Sequence, residues 1–311
     1  MSKQITLFFS VLLALNYSPA WLLSQSTDED AFFIRKIFDL TLTEGQAYPW
    51  LSDLSQQVGG RLSGSPQAAS AVNFTKQVLD TLQLDRVWLQ ACTVPHWVRG
   101  PKEDVRIVNS KQIGSQTLRA LALGNSIGTG PSGVTAEVIE VHSLDEVDSL
   151  GKANIEGKIV FYNRPMNPKQ INTFSAYGGA VDQRGLGPSK AAEYGAVGAV
   201  VRSMTTRLDD VPHTGGTFYR EGYPKVPAVA ISTNDAELLS KLLQKEKVQL
   251  YMQTNCAMLS PKPSHNVIGE ITGSQYPDQI ILVGGHLDSW DVGEGAHDDG
   301  VGCMQAMDVL Y

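Results

Sequence analysis

The stretch that most constrains the fold is Ile280-Ile281-Leu282-Val283-Gly284-Gly285-His286. Such an apolar run predicts a central strand over Gln279–Gly284, covered on both faces. In open α/β sheets, ligands bind beyond the carboxyl ends of strands. His286 and Asp288 would therefore be delivered to the usual place for a site, and two glycines would let the backbone approach closely there. From Gly284 to Gly300 the chain holds two His, four Asp and one Glu among five Gly. These are metal-ligand side chains on a backbone suited to tight turns.

Each polar residue of this loop has its own reading. A metal-bound His needs a partner for its other ring nitrogen, and Asp288 is placed to orient His286. Asp298, twelve residues after His286, has two carboxylate oxygens and could bridge two metal ions. Asp299 precedes a helix expected from Val301, where an acidic N-cap would satisfy orphan N–H groups. Asp291 and Glu294 read as solvated loop acids. His297 is expected to face away from Asp298 and to line the mouth of the site.

The rest of the chain supplies the frame. Ser26–Glu29 reads as a capping box before a helix carrying Phe33, Ile34, Ile37 and Phe38. A second helix follows Ser65-Pro66, with Asn73 of the sequon Asn73-Phe74-Thr75 on its polar side. Strands are expected at Arg86–Ala91 and, after a "PHWVRGPKE" loop, at Asp104–Asn109. Gly-rich "LGNSIGTGPSG" suggests a domain crossing. An α/β pattern follows, with strands Val134–Val141, Lys158–Tyr162, Ala199–Arg202, Ala228–Ile231 and Gln249–Gln253. Its helices are Ser189–Tyr194 and Asn234–Lys245. A second crossing is expected at "SPKPSHN", Ser260–Asn266, before a strand at Val267–Ile271. The organisation is nested: 1–24 a signal segment, 25–122 and 264–311 one domain, 123–263 an insert.

Taken together, His-x-Asp and Asp-Asp-Gly at this spacing, between an apolar strand and a helix, are specific. The segment "GGHLDSWDVGEGAHDDG" resembles the metal site of the M28 family of co-catalytic zinc peptidases. Further stretches are similar to its carboxypeptidase Q branch: "GGRLSGSPQA", "VPHWVRG", "LGNSIGTGPSGVTAEV", "VPHTGG" and "EITGSQYPDQIILVGGHLDSWDVG". The resemblance implies an α/β zinc-exopeptidase domain with a mixed central sheet and helices on both faces, incomplete here. It also implies an inserted protease-associated α/β domain carrying "KAAEYGAVGAVVRS". It makes His286 a terminal zinc ligand, Asp298 the bridge between two zinc ions, and Asp288 the orienter of His286. The implied reaction is hydrolysis of dipeptides or short peptides through a zinc-bridged hydroxide, with a small peptide substrate and a possible homodimer. The family's Glu-Glu pair, whose first Glu is the general base, and its remaining ligands fall in later sequence. The expectation is therefore a C-terminally truncated, inactive form that binds zinc weakly. An M28 aminopeptidase, or a non-catalytic receptor-like protein on the same scaffold, remains open.

Composition excludes other classes. A net charge of −7 and a pI near 5.4 argue against a nucleic-acid or anionic-membrane surface. The apolar run Ile5–Leu15 suits a secretory signal and is too short to span a bilayer. The sequon supports a secreted or lysosomal glycoprotein. A Cys92–Cys256 disulfide is compatible with that route, as are three unpaired thiols with Cys303. His96, His142, His213 and His265 lack ligand spacing, and Ser63-Gly64-Ser65 reads as a turn and cap.

Overall fold

The computed structural model describes residues 28–311; the signal segment expected at 1–24 lies outside the described residues. Helix α1 (Glu29–Glu44) begins at Asp28, whose carboxylate accepts the Ala31 N–H at 3.1 Å. α2 (Ala47–Asp53) runs on into a π-helical turn, Leu54–Val58. α3 (Pro66–Asp80) starts where Ser65 accepts the Ala68 N–H, with Pro66 in the first turn, the place where a missing N–H costs nothing. Asn73 is exposed on α3, as its periodicity predicts.

Two sheets follow. β1 (Arg86–Val98) and β10 (Ala257–Glu270) pair antiparallel as a long ribbon. The other sheet has eight strands, with β2 (Asp104–Ser110), β3 (Gly114–Leu118), β4 (Ala120–Ala122), β5 (Val134–Val141), β6 (Ile159–Tyr162), β7 (Gly198–Arg202), β8 (Ala228–Ile231) and β9 (Gln249–Gln253) in the order β3-β2-β9-β5-β6-β7-β8-β4. β5, β6, β7 and β8 are parallel, and β9 and β4 close the parallel core on either side in antiparallel pairing. β6, β7 and β8 are buried at every position, which is why they read as unbroken apolar runs. The helices α4 (Leu144–Ile155), α5 (Thr173–Gly178), α6 (Asp182–Gly185), α7 (Gly187–Glu193) and α8 (Thr233–Leu243) accompany this sheet. α8 buries Ala236, Leu239 and Leu242, one stripe at helical spacing. α9 (Val301–Asp308) buries Cys303, Met304 and Met307 against Leu54, Ala71 and Leu79.

Five expectations are corrected. Gln279–Gly284 is not a strand: Ile280, Ile281 and Leu282 are 87, 93 and 84% exposed. A strand exists only through its ladder, and this segment has no strand partner among the described residues. "SPKPSHN" is not a crossing, and "PHWV" is not a loop. Both lie within the ribbon, whose two strands each have a free edge where proline removes no ladder bond. The insert's sheet does not begin at 123, because β2 pairs with β9 and β4 with β8. Those pairings span more than a hundred residues of sequence and leave no local mark. Finally, Cys92 and Cys256 cannot pair. Cys92 faces Ser264, whereas Cys256 adjoins the Val98↔Ala257 end of the ribbon. Six residues of strand separate these positions by roughly 20 Å, against the ~7 Å limit for a disulfide. All three cysteines are free.

The run Ile280–Leu282 is exposed, and so are the α1 side chains Phe32, Phe33 and Phe38, at 74, 61 and 65%. Exposed large apolar side chains in such number favour association. The 311-residue chain is expected to bind a hydrophobic dye and to elute above its monomer mass. The pair Ile280→Asp, Ile281→Asp should reduce both without lowering the melting temperature. A dye-silent monomer would contradict this.

Candidate metal centre

His286 leaves the Gly284-Gly285 step under tight packing. A Cβ on Gly285 would sit 2.5 Å from Asp299 Oδ2 and 2.8 Å from the Cys303 nitrogen, so only glycine fits there. Asp299 Oδ2 accepts the His286 backbone N–H at 3.2 Å. Asp299 is therefore not the cap of α9, which starts from Gly300 without a side-chain cap. It ties the His286 segment to the start of that helix. Cys303, on the same helix, is a buried thiol pushed up to about 11, mainly by burial and then by the Asp299 charge.

The imidazole of His286 lies between two acids. Nδ1 is 3.0 Å from the Asp288 carbonyl oxygen and 3.2 Å from Asp288 Oδ1. Both are acceptors, so Nδ1 carries a proton. Nε2 is 2.9 Å from Asp298 Oδ1. Partial burial alone would lower the His286 pKa. The hydrogen bonds to the Asp288 backbone and to Asp298, with both carboxylate charges, outweigh it and raise the pKa above the ordinary value. The three side chains are open to solvent at 56, 50 and 78% for His286, Asp288 and Asp298. His297 and Glu294 are exposed.

This donor set fits a zinc ion chemically. An oriented imidazole nitrogen faces a carboxylate oxygen, and a metal could replace the proton between them. The number of donors is small: among the described residues no group of three or more His, Cys, Asp or Glu is gathered around one point.

Two arginines that the sequence reading passed over shape the loop. Arg61 is fully buried. Its guanidinium donates to the carbonyls of Leu287 (2.5 Å), Gly59 (3.1 Å), Glu294 (2.9 Å) and Gly295 (2.8 Å). Its own backbone exchanges hydrogen bonds with Ser289, through Arg61 N–H to Ser289 Oγ at 3.2 Å and Ser289 N–H to the Arg61 carbonyl at 3.1 Å. Burial lowers its pKa against the pull of Cys303 and Asp288. The signal was a lone arginine in the glycine turn "GGRLSG", where a charge has no reason to be unless its fork is used.

Arg99 follows β1. Its Nε and Nη2 each lie 2.8 Å from one oxygen of Asp291, and its Nη1 donates to the Ala122 carbonyl at 2.6 Å. Burial would lower its pKa, but Asp291 and Glu103 outweigh that and raise it. Asp291 is thus no solvated acid, since it fastens the metal loop to the insert through a bidentate pair. Trp290 completes the seam: a Cβ on Gly124 of the insert would lie 2.6 Å from Trp290 Cζ3.

Residues 266–311, which contain His286, Asp288 and Asp298, match the model of peptidase family M28. Carboxypeptidase Q of Xenopus laevis is 38% identical over 280 residues, 89% of this chain and 57% of the relative. The chain belongs to peptidase family M28. A solved M28 peptidase precursor from Shewanella amazonensis superposes with a TM-score of 0.82 at 34% identity, covering 88% of this chain and 61% of that one. A zinc aminopeptidase from Bacillus subtilis, 19% identical, shares the fold with a TM-score of 0.57 over 85% of this chain and 56% of its own. The chain thus spans little more than half the length of the curated M28 relative it matches.

Proposed function

We propose that this M28 chain carries part of the metal centre of a zinc metallo-exopeptidase acting on dipeptides or short peptides, with His286 and Asp298 as zinc ligands. The observation that carries the reading is His286 itself, with Nδ1 held by Asp288 and Nε2 turned onto Asp298. Asp288 fixes the ring and keeps Nε2 as the donor. Asp298 presents its carboxylate to the solvent side, where a second metal would share it. Asp299 and Arg61 hold the backbone that carries both ligands. Zinc, when bound, supplies Lewis acidity toward a peptide carbonyl and lowers the pKa of water. The name carboxypeptidase Q among the relatives supports an exopeptidase. The exposed Asn73 supports passage through a secretory route with glycosylation.

Two protein ligands hold zinc less well than the three usual in catalytic sites. The 311-residue chain is expected to bind zinc weakly and to turn over no free dipeptide. Equilibrium dialysis with zinc should show binding that His286→Ala abolishes and that Asp288→Asn weakens by about 10–100-fold. Undiminished binding by His286→Ala would sink the ligand assignment. Measurable metal-dependent hydrolysis of an unblocked dipeptide would sink the expectation of inactivity.

A further inference from the structure

Arg184 stands apart from the other arginines around it. From Arg99 to Arg220 every other guanidinium is ion-paired to a carboxylate, whereas Arg184 has no acidic partner among the described residues. Its side chain donates from Nη2 to the Tyr177 hydroxyl, and its Nε is buried with no acceptor. The guanidinium lies over the Tyr177 ring, 5.3 Å from the centroid. It also lies against Gly215, where a Cβ would sit 2.5 Å from Nε. A ring and a glycine backbone thus hold the cation in one place while its charge stays unmatched.

Exposed aromatic side chains flank it. Phe174 stands one helical turn before Tyr177 on α5, in the i, i+3 relation that makes surface neighbours, and is 87% exposed. Phe218 packs on the residue after Arg184. Its N–H donates to the Gly185 carbonyl at 2.8 Å, and a Cβ on Gly185 would lie 3.8 Å from its Cδ2. Phe218 is itself 63% exposed. Phe174, Tyr177, Arg184 and Phe218 therefore form one row, aromatic at both ends with a fixed cation between. Aromatic residues and arginine carry much of the binding energy at protein interfaces, and a guanidinium already held in place loses little freedom on pairing.

Charge selects the partner. A cationic segment would be repelled, and a neutral apolar one would strip water from the guanidinium without offering an acceptor. A carboxylate between two apolar side chains would pair with Arg184 while its neighbours cover Phe174 and Phe218. The net charge of −7 disfavours an anionic lipid surface as the source of that carboxylate or phosphate.

We propose that this row is a docking surface for an acidic segment of a partner protein, in which an aspartate or glutamate is flanked by apolar side chains. The proposal is independent of the exopeptidase reading, because no residue of the row belongs to the candidate metal centre.

The probe is acetyl-Ser-Leu-Phe-Asp-Leu-Phe-Ser-amide, compared with the same peptide carrying Asn or Lys in place of Asp. Its blocked ends put it beyond an exopeptidase. Calorimetric titration of the 311-residue chain should show the Asp peptide binding about tenfold tighter than the Asn peptide, with the Lys peptide weakest. The difference should shrink as salt is raised. Arg184→Gln should bring the Asp peptide to the level of the Asn peptide, and unchanged circular dichroism would show that the variant is folded. Phe174→Ser, at a position open to solvent, should weaken the Asp and Asn peptides alike by about fivefold. Equal affinity for the three peptides would overturn the proposal. So would undiminished binding by Phe174→Ser or by a folded Arg184→Gln. Failure of the Asp peptide to bind would also overturn it; Arg184-dependent binding to phosphatidylserine vesicles, or an Arg184-dependent elution mass, would then assign the row to a lipid surface or to a second copy of the chain.

Discussion

Replacing Arg61 by methionine is expected to destabilise the chain by about 3–5 kcal/mol and to free the metal loop. Methionine approximates the length of the side chain but donates nothing. The carbonyls of Gly59, Leu287, Glu294 and Gly295 would lose their common donor. An unsatisfied buried acceptor costs about 1–3 kcal/mol. Removing a buried charge returns part of that sum, so the expected total falls below the simple product. Lysine should not rescue, because a single ammonium cannot reproduce a planar fork bonding in several directions. Urea unfolding gives the stability change, and hydrogen exchange over 285–300 gives the local one. A loss below about 1 kcal/mol, with protection of the Ser289 N–H retained, would refute the scaffold role.

Breaking the Arg99–Asp291 pair is the second large effect expected. Arg99→Met leaves the Asp291 carboxylate without its partner and the Ala122 carbonyl with only the Thr214 hydroxyl as donor, and should cost about 2–4 kcal/mol. Asp291→Asn keeps the shape but not the charge. Asp291 is 29% exposed, so water screens part of the interaction, and a coupling of about 1–2 kcal/mol is expected in a double-mutant cycle. The insert meets the metal loop through this pair and through Trp290 on Gly124. Both variants should therefore quicken proteolysis between Asp288 and Glu294. Additive effects with unchanged proteolysis would remove Arg99 as the fastening.

Much of the insert was legible in the sequence, because its signals are local. Val134–Val141, Ala228–Ile231 and Gln249–Gln253 are strands at the bounds their patterning predicts. Ser65-Pro66 opens its helix for a reason contained in two residues. α4 was missed although Ser143 caps it and Glu146 stands three residues on. Lys152, Asn154 and the flanking acids diluted its apolar face, and Gly151 interrupts it with φ 66°.

The candidate metal centre divides in the same way. His286, Asp288 and Asp298 were named from spacing, and they do meet. Asp299 and Asp291 were misread because their partners lie far along the chain. The partner of Asp299 is a backbone N–H thirteen residues earlier, and that of Asp291 is a guanidinium 192 residues earlier.

By itself the sequence determined what periodicity, caps and ligand spacing can encode. That includes the strands and helices of the insert and the residues able to meet zinc, each set by side-chain chemistry within a few positions. Tertiary structure alone decided the rest. It set which strands share a ladder, that Ile280–Leu282 stands exposed, and that Cys92 and Cys256 lie at different levels of one ribbon. It also brought Arg61, Arg99 and Gly124 to the metal loop from elsewhere in the chain. The physical reason is that burial and hydrogen bonding are properties of pairs. A residue's composition states what it can offer, and only the fold brings the group that accepts it.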